Sequence, residues 1–121
     1  MTRVVLVEDD ATIRSVIEIL LSTEPDLELV GWAATAEEGI ELVARLAPDL
    51  VLLDNQLEGP LTGLQAAPTM KSRSPFVTVL LCTALALAEV AAQEPSIDGY
   101  LRKDELADLV DVIRALLPGS A

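Results

Sequence analysis

DLVLLDNQLEG, residues 49–59, decides how this chain folds. Within it LVLL (50–53) is apolar at every position, so it does not read as a strand with one wet face. A run that short and continuous is a strand buried on both sides, the pattern of a parallel sheet covered by helices on both faces. The run stops at an acid, Asp54, and enters a polar loop. Asp54 is therefore either an ordinary loop-entry residue or a reactive group held at a sheet edge.

The same alternation continues in both directions. VVLV (4–7), LELVGWA (27–33), VTVLLC (77–82) and IDGYLRK (97–103) read as the other strands. DATIRSVIEILLSTEP places Ile13, Val16, Ile17, Leu20 and Leu21 at helical spacing. Thr35 and Glu38 have the spacing of a capping box, and Ile40, Leu42, Val43 and Leu46 give the helix an apolar face closed by Pro48. A helix is expected over 63–73, kinked or delayed by Pro68. ALALAEVAAQ (84–93) reads as the fourth helix, and DELADLVDVIRALL (104–117) as the last, ended by Pro118-Gly119. Strands alternating with helices imply βαβ units, an α/β fold with a doubly wound parallel sheet.

The 121 residues fit one domain, expected over 1–117 with 118–121 as a tail. One cysteine and no histidine leave no internal disulfide, no usual zinc set and no imidazole chemistry. The start, MTRVVLVEDD, lacks the apolar core of a secretory leader, and no run approaches a membrane span. A cytoplasmic protein without membrane contact is expected. Acids outnumber bases 20 to 8, a formal charge of −12, which disfavours direct nucleic-acid binding.

Solubility does not account for where some polar residues fall. The first strand runs into Glu8-Asp9-Asp10, the third into Asp54, the fourth into Thr83 and the fifth into Lys103. In a parallel sheet these carboxyl ends share one edge, where open α/β folds bind ligands. Glu8, Asp9 and Asp54 would crowd like charges together, an arrangement that becomes favourable around a hard divalent cation such as Mg²⁺. Lys103 supplies a point charge and Thr83 a hydroxyl for phosphoryl oxygens, with Asp54 placed as a nucleophile. The blander readings are a helix-start charge, a loop acid, a strand-end hydroxyl and a solvated lysine. For Asp10 the helix-start reading is preferred. Cys82 reads as a buried thiol, and Trp32 and Phe76 as core or near-surface packing.

At these positions the chain resembles the receiver domain of two-component response regulators, of the CheY-like superfamily. VLVEDD is similar to the first-strand acidic motif, LVLLD to the phosphoacceptor strand, LLCTA to the switch threonine, and GYLRK to the aromatic and lysine of the fifth strand. The resemblance covers essentially the whole chain and is nearest to NarL/FixJ-type receivers. It implies a flavodoxin-like (βα)5 sandwich with strand order 2-1-3-4-5. It implies Asp54 as phosphoacceptor, Mg²⁺ held by Glu8, Asp9, Asp54 and the backbone carbonyl of Gln56, and Thr83 and Lys103 as phosphate contacts. Thr83 and Tyr100 would move together as the switch, although a strand aromatic is often only packing. The implied partner is a sensor histidine kinase or phosphotransfer protein; the single charge of ALALAEVAAQ makes a second copy, docked through helix 4, strand 5 and helix 5, a further expected partner. The implied output is transcription regulation through an effector domain that this chain does not contain.

Three departures from the family pattern stand out. NQLEGPLTG has Glu58 where proline is common and one extra residue before Gly63. Asp104 replaces the usual proline after Lys103, so a trans peptide is expected there. Glu94-Pro95-Ser96 shortens the stretch before the fifth strand. The loop departures motivate one alternative, a pseudo-receiver that works as an interaction module without phosphorylation, against which the intact acid, threonine and lysine set argues. A dehalogenase-type phosphatase would need an acid where Gln56 stands, and a flavin binder a neutral loop where Glu8-Asp9-Asp10 stand.

Overall fold

Leu50–Leu53 form β3, each residue buried, at the centre of a five-stranded parallel sheet. Its neighbours are β1 (Thr2–Val7) and β4 (Thr78–Thr83); β2 (Leu27–Ala33) lies outside β1, and β5 (Gly99–Arg102) outside β4. The order is therefore β2-β1-β3-β4-β5, as the resemblance implies. The computed structural model describes residues 1–117.

The continuous apolar runs follow from the pleat. Val5, Val7, Val51, Leu53, Val79 and Leu81 face α2 (Ala36–Leu46), α3 (Gly63–Arg73) and α4 (Ala88–Gln93). Val4, Leu6, Leu50, Leu52, Leu80 and Cys82 face α1 (Ala11–Ser22) and α5 (Leu109–Leu116). Alternate side chains enter different cores, so neither parity of the strand can be polar.

Several boundaries differ from the sequence reading, each for a local reason. β1 starts at Thr2 because Thr2 and Arg3 pair with Leu27 and Glu28, while the Arg3 guanidinium donates to the carbonyls of Leu46 and Ala47. That contact caps α2, where Ala47 turns left-handed (φ 45°) before Pro48. The Thr35 box is only half formed. The Thr35 hydroxyl oxygen accepts from the Glu38 N–H, but the Glu38 carboxylate accepts the Thr35 hydroxyl and not its N–H. A reciprocal box stands instead at α3, between Thr62 and Gln65. That helix begins at Gly63, undelayed, and continues through Pro68.

β4 extends one residue further than expected, so Thr83 is its last position, and β5 is trimmed to four residues. Only 88–93 of the expected fourth helix are helical. Ahead of it, the Leu85 and Leu87 backbones bond to hydroxyls of Thr83 and Tyr100 in place of a helical ladder. The final helix is split into a 3-10 segment, Lys103–Asp108, with Glu105 off helical geometry, and then α5. Its expected stop at Pro118-Gly119 and the 118–121 tail lie outside the described residues. Among the described residues all peptides are trans, that between Lys103 and Asp104 included. Phe76 is 98% exposed and packs against nothing, contrary to expectation, whereas Trp32 is half-exposed with Arg14 stacked on its ring. No helix among the described residues is long and apolar enough to cross a membrane.

Candidate functional site

The sheet's backbone ladder runs one residue past the apolar strands and carries acids into the crevice. The Glu8 N–H donates to the Ala33 carbonyl at 2.9 Å, and the Asp54 N–H to the Val7 carbonyl at 3.0 Å. Both side chains are consequently fixed at the carboxyl edge and nearly sealed, Glu8 at 2% and Asp54 at 3% exposure. Lys103, the first residue after β5, reaches back between them. Its Nζ lies 2.6 Å from Glu8 Oε1 and 3.0 Å from Asp54 Oδ2.

The remaining oxygens of this pair take backbone donors. Asp10 N–H donates to Glu8 Oε2 at 3.1 Å, and Gln56 N–H to Asp54 Oδ1 at 3.3 Å. Asp9 completes the group, with one oxygen each from Glu8, Asp9 and Asp54 lying within 4.8 Å of one another. Asp10 itself caps α1, accepting from the N–H groups of Thr12 and Ile13, so the helix-start reading holds for it.

One ammonium faces three carboxyl groups, so the charge is incompletely neutralised. Burial pushes the Glu8 carboxyl up to about 7, against the Lys103 hydrogen bond, which pulls it down, and the Asp54 charge, which pushes it further up. Burial would lower Lys103, but its hydrogen bonds and proximity to Glu8 and Asp54 outweigh this, and the net shift is upward. Lys103 is thus held as a cation. An all-oxygen donor set with surplus negative charge fits a hard divalent cation, and Glu8, Asp9 and Asp54 could hold one.

Thr83 and Tyr100 meet on a single residue. Thr83 is fully buried, and its hydroxyl oxygen accepts from the Leu85 N–H at 3.3 Å. The Tyr100 hydroxyl donates to the Leu85 carbonyl at 2.6 Å and accepts from the Leu87 N–H at 3.0 Å. Cys82, one residue before Thr83, is buried, and burial drives its thiol up to about 12. It stays a neutral apolar filler.

Two residues of this region escaped the sequence reading. Buried Asn55 ties the loop to α3: its carbonyl accepts from the Gly63 N–H at 3.1 Å and its Oδ1 from the Leu64 N–H at 3.0 Å. Gly63 packs so tightly that a Cβ there would sit 2.1 Å from the Asp54 carbonyl oxygen. The only signal in the sequence was a glycine directly after the Thr62 cap. The divergent loop is further held by a bridge between Thr35 and Glu58, and turns at Gly59 with φ 94°.

Comparison with known proteins agrees with this geometry. The family described as "Response regulator receiver domain" matches residues 4–114. The nitrate/nitrite response regulator protein NarL of Escherichia coli K12 is 32% identical over 120 residues, covering 98% of this chain and 54% of NarL. The response regulator protein VraR of Staphylococcus aureus is 31% identical over 122 residues, covering 98% of this chain and 58% of VraR. The chain thus spans little more than half the length of these relatives. Among solved structures, a LuxR-family two-component response regulator from Aurantimonas sp. SI85-9A1 superposes with a TM-score of 0.88 at 30% identity, over 98% of this chain and 86% of that one. The response regulator domain of Thermotoga maritima CheB, at 20% identity and TM-score 0.84 over 99% and 96% of the two chains, shares the fold. A parallel 2-1-3-4-5 sheet with acids and a lysine at its carboxyl edge, matched along its length by receiver sequences and structures, places this chain in the response regulator receiver domain family.

Proposed function

We propose that the chain is a phosphorylation-dependent switch in which Asp54 accepts a phosphoryl group from the phosphohistidine of a sensor histidine kinase or phosphotransfer protein. The observation that carries this is the sealed Asp54 carboxylate, held by Lys103 at 3.0 Å with Glu8 and Asp9 beside it. An Asp54 oxygen attacks phosphorus, the P–N bond to the donor imidazole breaks, and the imidazole leaves with a proton. Lys103 exchanges its contact with Asp54 for a transferred oxygen and stabilises charge on it. Bound among Glu8, Asp9, Asp54 and the Gln56 carbonyl, Mg²⁺ would neutralise phosphoryl charge and screen the carboxylates.

Thr83 and Tyr100 are the proposed readout. A phosphoryl oxygen on Asp54 would accept the Thr83 O–H and draw the hydroxyl toward the crevice, away from the Leu85 N–H that donates to its oxygen. Leu85 is also held by Tyr100, so the loss of one contact alters the other. The moving surface is then α4, β5 and α5, where a cavity of about 380 Å³ lies among Ala86, Ala88, Glu89, Val90, Tyr100 and Arg102. Val90 is exposed there, which suits a docking surface for a second copy. A concentration series should show dimer gained with a phosphoryl analogue; a monomer under both conditions would count against that surface.

Residues 1–117 form the proposed receiver unit, acting in the cytoplasm as a signalling module and not as a metabolic enzyme. Its output would be transcription regulation through a separate effector domain. Incubation with acetyl phosphate, with and without Mg²⁺, followed by intact mass tests the central step. The expected result is one metal-dependent phosphate adduct, absent from Asp54→Asn. No adduct under any condition would instead support the pseudo-receiver reading.

A further inference from the structure

We propose that Arg14 is a positioning residue for the acidic pair, steadied by Trp32; this rests on the reading of Glu8, Asp9 and Asp54 as cation ligands. Among the described residues the Asp9 carboxylate has no hydrogen-bond or ion-pair partner, so only its backbone aims it. That backbone is governed by the rigid peptide plane joining Glu8 to Asp9, whose oxygen is the Glu8 carbonyl. Arg14 Nη1 donates to this oxygen at 3.0 Å.

The Arg14 guanidinium is itself placed from two directions. Asp10 caps the start of α1 and fixes the turn that carries Arg14. On the other side the guanidinium lies over the Trp32 ring, 3.9 Å from its centroid, a cation–π contact that also restricts its rotamers. Trp32 and Ala33 are neighbours at the end of β2, and Ala33 takes the Glu8 N–H. Two consecutive residues of β2 therefore hold the Glu8 backbone on both sides, Ala33 directly and Trp32 through Arg14. With the plane free, Asp9 would swing away from Glu8 and Asp54, as like charges prefer.

Trp32 is the only tryptophan, so tryptophan emission comes from the ring that Arg14 covers. The full chain is titrated with MgCl₂, followed by calorimetry and by Trp32 fluorescence, with far-UV circular dichroism as the check on folding. Arg14→Ala is expected to weaken Mg²⁺ binding roughly 10- to 100-fold, the usual effect of losing a residue that orients a ligand. Arg14→Lys, which keeps charge and donor but not the planar stack, should recover part of the loss. Trp32→Phe should bind nearly as wild type by calorimetry, and Trp32→Ala several-fold more weakly. Folded Arg14→Ala with wild-type affinity would overturn the inference and leave the metal reading standing. Wild-type protein that binds no Mg²⁺ would overturn both. If Arg14→Ala does not fold, Trp32→Ala decides, and unchanged affinity there overturns the role given to the stack and to Arg14.

Discussion

Gly63→Ala is expected to destabilise the protein by about 3 kcal/mol, near the top of the range for overpacking a tight contact. For a chain of this size that lowers the thermal midpoint by roughly 10 °C. The added Cβ would stand 2.1 Å from the Asp54 carbonyl oxygen and 2.9 Å from its carbonyl carbon. Those atoms are backbone, so no rotamer change relieves the overlap. Either α3 retreats, stretching the Asn55 bonds to Gly63 and Leu64, or the Asp54 peptide turns, moving the carboxylate away from Lys103. Phosphate uptake measured well below the midpoint should therefore fall too. Gly31→Ala is the control, because its Cβ would meet only flexible Leu42 and Leu46 side-chain ends at 3.2 Å. Equal melting of Gly63→Ala and wild type would show that the close approach is not required.

The contrast between these two glycines marks where sequence reading reaches its limit. LVLL announced a strand buried on both faces, because helices on either side leave no polar parity to hide. Glu8, Asp54, Thr83 and Lys103 were legible as a group because parallel strands deliver their carboxyl ends to one edge. Tertiary contacts decided the rest. Nothing in ALALAEVAAQ says that its first residues surrender their helical bonds, since the competing hydroxyl of Tyr100 arrives from another strand. The same holds for Arg14, whose partners are the Glu8 carbonyl just past β1 and the Trp32 ring on β2. Phe76 failed in the opposite sense, an aromatic read as core or near-surface packing that the loop before β4 leaves in water.

Lys103→Met should have the larger chemical effect, and its size should depend on pH. In wild type, folding raises Glu8 from 4.5 to about 7. Between those values the folded state keeps a proton that the unfolded chain has released. Stability therefore falls as pH rises through that window, and the penalty is complete above about 7. Lys103 follows the same sign at higher pH. Its folded pKa is raised above the ordinary 10.5, so its stabilisation is intact below 10.5 and fades only above it. Removing it deletes the hydrogen bond and charge that pull Glu8 down, so Glu8 keeps its proton to higher pH and the penalty window moves upward. At pH 5.5, with Glu8 neutral in the fold, the loss of stability should be near 1 kcal/mol, the worth of an ordinary hydrogen bond. At pH 8.5 it should approach 3 kcal/mol, the cost of leaving buried carboxylates without their cation. Urea denaturation in EDTA at the two pH values measures the difference, and adding Mg²⁺ at pH 8.5 should restore part of it by replacing the lost charge. Phosphate uptake by the folded variant should drop roughly a hundredfold, the scale of removing one group that stabilises transition-state charge. Equal destabilisation at both pH values would mean that Lys103 is held by packing of its stem and not by the acids it faces.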